Sequence, residues 1–207
     1  MTKILSTVGP VSEGKNLDYL VKRSDLIRLN MSHNSIKWHK KNINQIKKIA
    51  PYKMILIDIP GIKPRTLNEN SIKIKKGELI EFGTNKLKNN LINLSSPLPK
   101  IKKNTKSFSL SDGAYEFKFI SCKKNILKGM SLQSFTLSTK KGLNIPLSIY
   151  NNLLQEKKYV SFLKKIKKFN FDCVGLSFIQ NSKIINLLRK QHPNKLFISK
   201  IENYLGY

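Results

Sequence analysis

Few of the residues that mark a secreted, disulfide-bonded or membrane-spanning protein occur in this sequence. Its two cysteines, Cys122 and Cys173, lie far apart in the chain and lack the close spacing of metal-binding pairs. No apolar run reaches the roughly 18–20 residues that a membrane-spanning helix needs. The first residues show no long apolar stretch before a small-residue cleavage site, so we expect no secretory signal. These absences predict a reduced, cytoplasmic setting and no membrane partner.

Acidic residues are also scarce, since 12 Asp and Glu stand against 39 Lys and Arg, for a formal net charge of +27. A charge of this size is compatible with binding to nucleic acid. The lysines, however, are spread along most of the chain, and arginine, whose bidentate fork suits phosphate, occurs only at Arg23, Arg28, Arg65 and Arg189. We therefore interpret the lysines as surface composition and expect no nucleic-acid partner.

What the sequence does contain is a 40% hydrophobic fraction, enough for a buried core, arranged in strand-like and helix-like segments. Strands at 3–10, 26–32 and 54–58 alternate with helices at 15–23 and 35–49, and His39 is placed on an exposed helix face. Near the other end, a helix at 150–168 precedes a strand at 172–179, a helix at 181–190 and a strand at 196–203. In that first helix Leu153, Leu154, Val160, Leu163 and Ile166 are the candidate core residues. This alternation predicts an α/β fold with a parallel sheet.

Between these segments the pattern changes to short alternating runs separated by Gly, Asn, Ser and Pro. The clearest is Tyr115–Ile120, in which apolar and polar residues alternate. We interpret this region as a small all-β domain inserted in the α/β chain. The predicted boundaries are 1–65 for the first α/β part, 66–142 for the insert and 143–207 for the second α/β part.

Polar side chains follow the predicted parallel strands at their carboxyl ends, where parallel α/β proteins place their active groups. These residues are Arg28, Asn30, Ser32 and His33 after the second strand, Asp58, Lys63 and Arg65 after the third, and Lys200, Glu202 and Asn203 after the fifth. A chain that uses lysine almost everywhere has arginine at positions 28 and 65, which indicates bidentate phosphate binding. Lys200 and Glu202 point to one face of their strand. They could serve metal-assisted chemistry on an anion, or form an ordinary ion pair.

Several segments together resemble the pyruvate kinase family, and they keep the family's order along all 207 residues. Ser177, which alone indicates a packing residue, lies within one of them. The matching segments are Lys3–Pro10, Arg28–His33, Asp58–Arg65, Lys140–Pro146, Ser177–Ile179 and Ile198–Asn203. The resemblance implies a partial TIM-type (β/α) barrel, interrupted by a small all-β barrel that acts as a lid. It also implies phosphoryl transfer from phosphoenolpyruvate to ADP, giving pyruvate and ATP in glycolysis.

The resemblance assigns a role to each matching position. Lys200 would stabilise the transferring phosphoryl group, and Arg28, with Arg65 near it, would bind that phosphate. Glu202 would ligate Mg²⁺ or Mn²⁺. Oxygen atoms would hold K⁺, from the side chains of Asn30, Ser32 and Asp58 and the backbone carbonyl of Ile59. The nucleotide site would be lined by Pro10, His33 and Lys141, with Asp112 on the lid.

The sequence also departs from the family pattern. Pro60 and Pro64 flank the position where the family has a proline directly after Gly61, Gln180 replaces a basic residue, and Ser111 replaces an acid. An eight-stranded barrel typically takes about 250 residues, and this chain supplies about five strands. We therefore expect a missing C-terminal half or a homo-oligomer, and neither good folding nor catalysis by the chain alone.

Three functions stay open at this point. The first is a pyruvate kinase present as a fragment or as one half of a split enzyme. The second is a non-catalytic paralogue that retains nucleotide or metal binding, favoured by the prolines around Gly61 and by Gln180. The third, and least favoured, is a basic nucleic-acid-binding protein, whose affinity would fall steeply with salt.

Overall fold

The structure is a computed structural model that describes residues 2–84 and 91–206, and these divide into two compact units. The first unit holds the chain up to Gly61 together with Asn152–Glu202, and the second holds Ile62–Asn151. The second unit extends beyond the predicted insert, 66–142, at both ends. Among the described residues, none of the helices is long and apolar enough to cross a membrane.

Regular elements alternate along the chain in the order that the sequence pattern predicts. They are β1 (Leu5–Thr7), α1 (Lys15–Arg23), β2 (Leu26–Asn30), α2 (Ile36–Ile49), β3 (Met54–Ile59), β4 (Ile72–Ile74), β5 (Leu79–Gly83), β6 (Leu91–Asn93), β7 (Ser107–Leu110), β8 (Tyr115–Lys123), β9 (Ile126–Ser131), β10 (Phe135–Leu137), β11 (Leu143–Asn144), α3 (Asn152–Lys165), β12 (Cys173–Ser177), α4 (Ser182–Gln191) and β13 (Leu196–Lys200). Short 3₁₀ turns lie at Pro10–Ser12 and Tyr204–Gly206.

The first unit is built on a five-stranded, fully parallel sheet in the order β1-β2-β3-β12-β13. One face of the sheet is covered by the helices and forms a continuous apolar core, in which Ile27, Ile57 and Leu176 are fully buried. Within the described residues the strand order is linear from β1 to β13, so a closed barrel is not present there. The α/β class is thus confirmed, whereas the assignment of this sheet to a partial TIM-type barrel stays a prediction.

The opposite face of this sheet carries the polar residues at the carboxyl ends of its strands. The register pairs Thr7 with Arg28, Asn30 with Asp58, and Ser177 with Lys200. Because side chains alternate between the two faces along each strand, these residues share one face while their apolar neighbours enter the core. Parallel pairing therefore gathers the candidate functional groups at one edge of the sheet.

Two predictions about helix faces are wrong. Leu153 and Leu154, placed in the core by helical spacing, are 58% and 44% exposed. Gln155 and Tyr159 of α3 are buried instead, because both side chains reach the backbone carbonyl of Ser177. His39, placed on an exposed face, is buried, and its Nε2 lies 2.8 Å from the carbonyl oxygen of His33.

The second unit is an all-β structure with its own apolar core. A six-stranded sheet runs in the order β11-β7-β8-β9-β5-β6, and β4 pairs with β10 in a separate two-stranded sheet. Phe82, Phe108 and Phe117 are buried together, and the rings of Phe108 and Phe117 stack with centroids 5.0 Å apart. In the residues that the structure describes, this sheet also has two ends, so a barrel-shaped lid stays a prediction.

Candidate functional site

Asp58 lies at the centre of a polar network in the first unit, and only 3% of its side chain is exposed. The carboxylate oxygen Oδ2 accepts hydrogen bonds from Nε and Nη2 of Arg28, at 2.9 and 2.6 Å. The same oxygen lies 3.2 Å from the Nζ atom of Lys200. The apolar residues of β3 bury this position in the middle of the sheet. Gly175 of β12 lies opposite, and a Cβ added to it would be 3.4 Å from the Oδ1 atom of Asp58, at van der Waals contact.

Arg28 is fixed in place by residues on both neighbouring strands. Two of its donors bond Asp58 on β3, and its Nη1 donates to the hydroxyl of Thr7 on β1 at 3.0 Å. The side chain is 24% exposed, so the guanidinium also reaches the surface. A planar guanidinium held in this way is pre-organised to meet a phosphate with its remaining donor capacity.

Lys200, the last residue of β13, places its ammonium group between two carboxylates. Its Nζ lies 2.9 Å from the hydroxyl of Ser177, 3.2 Å from Asp58 Oδ2 and 3.4 Å from Glu202 Oε1. The hydroxyl of Ser177 in turn donates to Asp58 Oδ1 at 3.2 Å. One third of the Lys200 side chain is exposed. This cation is therefore ordered by its neighbours and still accessible to an anion in solution.

Glu202 is held by a backbone group in an unusual conformation. The N–H of Phe178 donates to Glu202 Oε2 at 2.9 Å, and Phe178 has a φ of 63°. A bulky residue in the left-handed region costs on the order of 1–3 kcal/mol and is found where the surroundings impose it. The strand predicted over 172–179 consequently ends at Ser177, because Phe178 leaves the extended conformation.

The four residues predicted to hold K⁺ lie on two adjacent strand ends. Asn30 and Asp58 are register partners, and Ser32 donates its N–H to the side-chain oxygen of Asn30 at 3.0 Å. Ile59 is fully buried as the last residue of β3. Their amide, hydroxyl, carboxylate and carbonyl oxygens are the donor types that a hard cation prefers. The structure thus brings this set together at one edge of the sheet.

A metal site made only of side-chain acids, histidines and cysteines is not found among the described residues, where no group of three or more of these comes together. The single carboxylate of Glu202 is compatible with Mg²⁺, which commonly binds one or two carboxylates together with waters and phosphate oxygens. We conclude that the oxygen ligands present fit Mg²⁺ and K⁺ only where oxygens from water or phosphate complete the coordination.

The remaining predicted residues are divided between the two units. In the first unit Pro10 begins a 3₁₀ turn, and His33, three residues after β2, is exposed. In the second unit Arg65 Nη1 donates to the carbonyl of Lys140 at 3.1 Å, and the N–H of Lys141 donates to Thr66 Oγ1 at 3.1 Å. Pro10 and His33 therefore belong to one compact unit, and Arg65 and Lys141 to the other.

Asp112 of the second unit forms an ion pair with Lys63, whose Nζ lies 2.6 Å from Asp112 Oδ1. The hydrogen bond from Lys63 lowers the pKa of the Asp112 carboxyl below its usual value. Ser111, Asp112 and Gly113 all have positive φ angles, so the Asp-Gly pair forms the tight turn that its sequence predicts. The side chain of Asp112 is 86% exposed and is therefore accessible in solution.

Sequence reasoning missed several members of the first-unit network. Thr7 could have been found, because parallel pairing of β1 with β2 places it beside Arg28. Ser177 was predicted as a packing residue, yet its hydroxyl bonds both Asp58 and Lys200. Gln155 and Tyr159 carry no sequence signal of a site. They occupy a helix face that is otherwise apolar, and only the structure shows that they meet a strand-end carbonyl.

Comparison with known proteins links this architecture to one family. The family model described as "Pyruvate kinase, barrel domain" matches residues 1–206. The pyruvate kinase of Thermococcus litoralis is 25% identical over 97% of this chain and 46% of its own length. That of Staphylococcus aureus strain USA300 is 30% identical over 99% of this chain and 38% of its own.

A solved structure shows the same likeness in three dimensions. The crystal structure of Cryptosporidium parvum pyruvate kinase superposes with a TM-score of 0.77 at 26% identity, covering 99% of this chain and 48% of that one. This chain therefore spans less than half the length of these relatives. Since the family model matches nearly every residue, the chain belongs to the pyruvate kinase barrel-domain family.

Proposed function

We propose that this chain supplies part of the active site of a pyruvate kinase, which transfers the phosphoryl group of phosphoenolpyruvate to ADP. The observation that carries the proposal is the network of Arg28, Asp58, Lys200 and Glu202 at the carboxyl ends of parallel strands. Phosphoryl transfer depends mainly on positioning and charge stabilisation, and this network offers two ordered cations beside a carboxylate that can bind a metal.

Each charged residue has a distinct task in this proposal. The ammonium of Lys200 stabilises negative charge on the transferring group, and the guanidinium of Arg28 binds its oxygens. Asp58 orients both cations through its single carboxylate. Glu202 would hold Mg²⁺ or Mn²⁺, and Asn30, Ser32, Asp58 and the Ile59 carbonyl would hold K⁺. These cations would supply charge neutralisation for phosphate oxygens.

The nucleotide would be bound by the residues that the family resemblance assigns to it. Pro10, His33 and Lys141 would line this nucleotide site, whereas Arg65 would assist Arg28 in binding the transferring phosphate. The second unit would act as a lid, with Asp112 on its surface, so that water is excluded during transfer. We place the protein in the cytoplasm, where these substrates of glycolysis occur.

The proposal requires a partner for the parallel sheet. Parallel sheets are normally buried on both faces, but Leu5, Leu196 and Ile198, on the face opposite the helices, are 49%, 60% and 41% exposed. The strands β1 and β13 are the ends of the sheet in the described residues. We propose that a C-terminal pyruvate kinase portion covers this face, in the same polypeptide or in a second one. A homo-oligomer is the other possibility.

A second candidate is a paralogue that binds metal or nucleotide without turnover. Gln180 favours it, because this side chain stands where the family has a basic residue. The amide of Gln180 is buried and donates to Asn152 Oδ1 at 2.7 Å, so it brings no charge to the strand end. The two candidates share all the binding residues and differ only in catalysis.

Complementation distinguishes the two candidates. The 207-residue chain is co-expressed with the part of the Staphylococcus aureus relative that it does not match, and pyruvate formation is measured by a coupled assay with Mg²⁺ and K⁺ present. We expect activity that Lys200→Met lowers by about 10²–10³-fold, the cost of losing one stabilising donor. The matched control Lys190→Met, at an exposed lysine of α4, should retain activity.

The alternative outcome is equally informative. A complex that forms and binds Mn²⁺ or ADP but yields no pyruvate would exclude the proposed catalytic function. It would support the non-catalytic paralogue. Binding to nucleic acid with a steep salt dependence, and none to ADP, would exclude both.

A further inference from the structure

The peptide bond between Ser177 and Phe178 is held at both of its ends by buried or functional side chains. On one side, the carbonyl oxygen of Ser177 accepts hydrogen bonds from Gln155 Nε2, at 2.9 Å, and from the hydroxyl of Tyr159. On the other side, the N–H of Phe178 donates to Glu202 Oε2 at 2.9 Å. One rigid planar group thus connects helix α3 to the proposed metal ligand.

The two donors come from one helix face and are fully enclosed. Gln155 and Tyr159 are four residues apart in α3, so their side chains lie side by side, and they are 1% and 0% exposed. Burial, and further the negative charges of Glu202 and Asp58, raise the pKa of the Tyr159 hydroxyl, so it remains protonated and donates. Their hydrogen bonds to the Ser177 carbonyl reach the Glu202 carboxylate through the peptide.

The conformation of Phe178 explains why such support is needed. Its φ is 63°, and its N–H donates to Glu202. A bulky residue stays in that region only where its neighbours hold it. Two hydrogen bonds to the carbonyl fix the plane of the same peptide. They also polarise it, which strengthens its N–H as a donor.

We propose that Tyr159 and Gln155 are positioning residues that orient Glu202, through the Ser177–Phe178 peptide, for binding of a divalent cation. This inference rests on the proposed function, since it takes Glu202 as the metal ligand. It predicts that the affinity for the cation depends on side chains of α3 that do not themselves ligate it. The other explanation is that Tyr159 and Gln155 only satisfy a buried carbonyl, which would affect stability and leave cation affinity unchanged.

The first test measures Mn²⁺ binding, by electron paramagnetic resonance of the free ion, to the complex of the 207-residue chain with the complementing part of the Staphylococcus aureus relative. Tyr159→Phe removes one hydroxyl and keeps the ring, and Gln155→Met removes the amide at similar volume. We expect each to weaken Mn²⁺ binding by about tenfold, the lower end of the effect of outer-shell partners. The matched control is Tyr150→Phe, at a buried tyrosine of the second unit, which should leave the affinity unchanged.

Glu202→Gln separates failure of this inference from failure of the proposed function. If Glu202→Gln abolishes Mn²⁺ binding while Tyr159→Phe and Gln155→Met do not alter it, Glu202 is a ligand and the positioning role is wrong. If Glu202→Gln leaves Mn²⁺ binding unchanged, or the folded complex binds no Mn²⁺, the metal role of Glu202 in the proposed function is wrong and the positioning inference falls with it.

A second measurement reads the peptide itself and does not depend on bound metal. In a sample labelled with ¹⁵N-phenylalanine, the amide proton of Phe178 should exchange with solvent faster, and shift upfield, in both Tyr159→Phe and Glu202→Gln. Tyr150→Phe should leave this resonance unchanged. An unchanged Phe178 amide in Tyr159→Phe would overturn the proposal, because the hydroxyl would then not act on the peptide.

Discussion

Each of the two units pairs an aspartate with a lysine, and the two aspartates differ in burial. Asp58 of the first unit is 3% exposed and bonds Arg28, Ser177 and Lys200. Asp112 of the second unit is 86% exposed, and its ion pair is with Lys63. An aspartate–lysine ion pair therefore belongs to a buried polar network in the first unit and to a surface turn in the second.

The comparison teaches that the position of a carboxylate in its sheet decides what it does. Asp58 follows four apolar residues in the central strand β3, and its neighbours on β2 and β12 are fixed by register. Asp112 lies in a solvent-exposed turn between β7 and β8. Exposed ion pairs typically contribute about 0–1 kcal/mol, whereas breaking a buried pair typically costs about 3–5 kcal/mol.

The largest expected effect comes from removing the charge of Asp58. Asp58→Asn leaves the cations of Arg28 and Lys200 without their shared carboxylate, and we expect the free energy of unfolding to fall by about 3 kcal/mol. This is the lower end of the range because both cations reach solvent. The measurement is urea unfolding followed by fluorescence of Trp38, the chain's single tryptophan, which lies in the first unit.

Asp112→Asn is the matched control in the second unit. Asparagine tolerates the left-handed conformation of this turn, so the substitution removes charge without changing the backbone preference. We expect a loss below about 1 kcal/mol, read by hydrogen exchange of peptides from the second unit. If Asp58→Asn and Asp112→Asn lowered the stability of their units equally, burial would not explain the difference expected between the two aspartates.

Features set by hydrophobic period and strand register could be predicted from the sequence, whereas contacts with distant backbone groups could not. Strand and helix order followed from hydrophobic period, and the gathering of Arg28, Asp58 and Lys200 followed from parallel register. The inward face of α3 could not be predicted, because Tyr159 and Gln155 are polar residues whose burial depends on a carbonyl supplied by another strand. His39 was misplaced for the same reason, since its buried partner is the carbonyl of His33.

An intermediate effect is expected at two glycines that lie against neighbouring groups. A Cβ on Gly61 would lie 2.7 Å from the carbonyl oxygen of Ser177, a backbone atom that cannot move alone. A Cβ on Gly142 would lie 2.6 Å from the Cε of Lys63, the far end of a flexible side chain. We expect Gly61→Ala to destabilise the first unit by about 1–3 kcal/mol, as overpacking does, and Gly142→Ala to have a smaller effect.

Hydrogen exchange resolved by peptides measures both glycine variants in their own units. Gly61→Ala should also speed exchange around Ser177, since that carbonyl must shift to admit the methyl group. If Gly142→Ala proved the more damaging substitution, Lys63 would have to be as rigid as backbone, and the assumed difference between the two contacts would be wrong.

The smallest expected effect is a pH dependence of stability that is confined to the first unit. The chain's three histidines all lie in that unit, at His33, His39 and His192. Burial lowers the pKa of His39 below its ordinary value of 6.5, and burial likewise lowers that of His192. The unfolded chain therefore takes up protons before the folded one as the pH falls. The histidine contribution to stability is complete above pH 6.5 and is lost as the pH drops through the lower folded pKa values.

We accordingly expect mild acidification from neutral pH to lower the urea midpoint of the first unit, read by Trp38. The protection factors of amides in the second unit, each taken relative to the intrinsic exchange rate at the same pH, should stay unchanged. His39→Gln should weaken this dependence, because a glutamine amide can still donate to the His33 carbonyl but does not titrate. Identical pH profiles for the variant and the original chain would show that His39 is protonated as easily when folded as when unfolded. The buried environment assigned to its ring would then be wrong, since burial is what opposes its charged form.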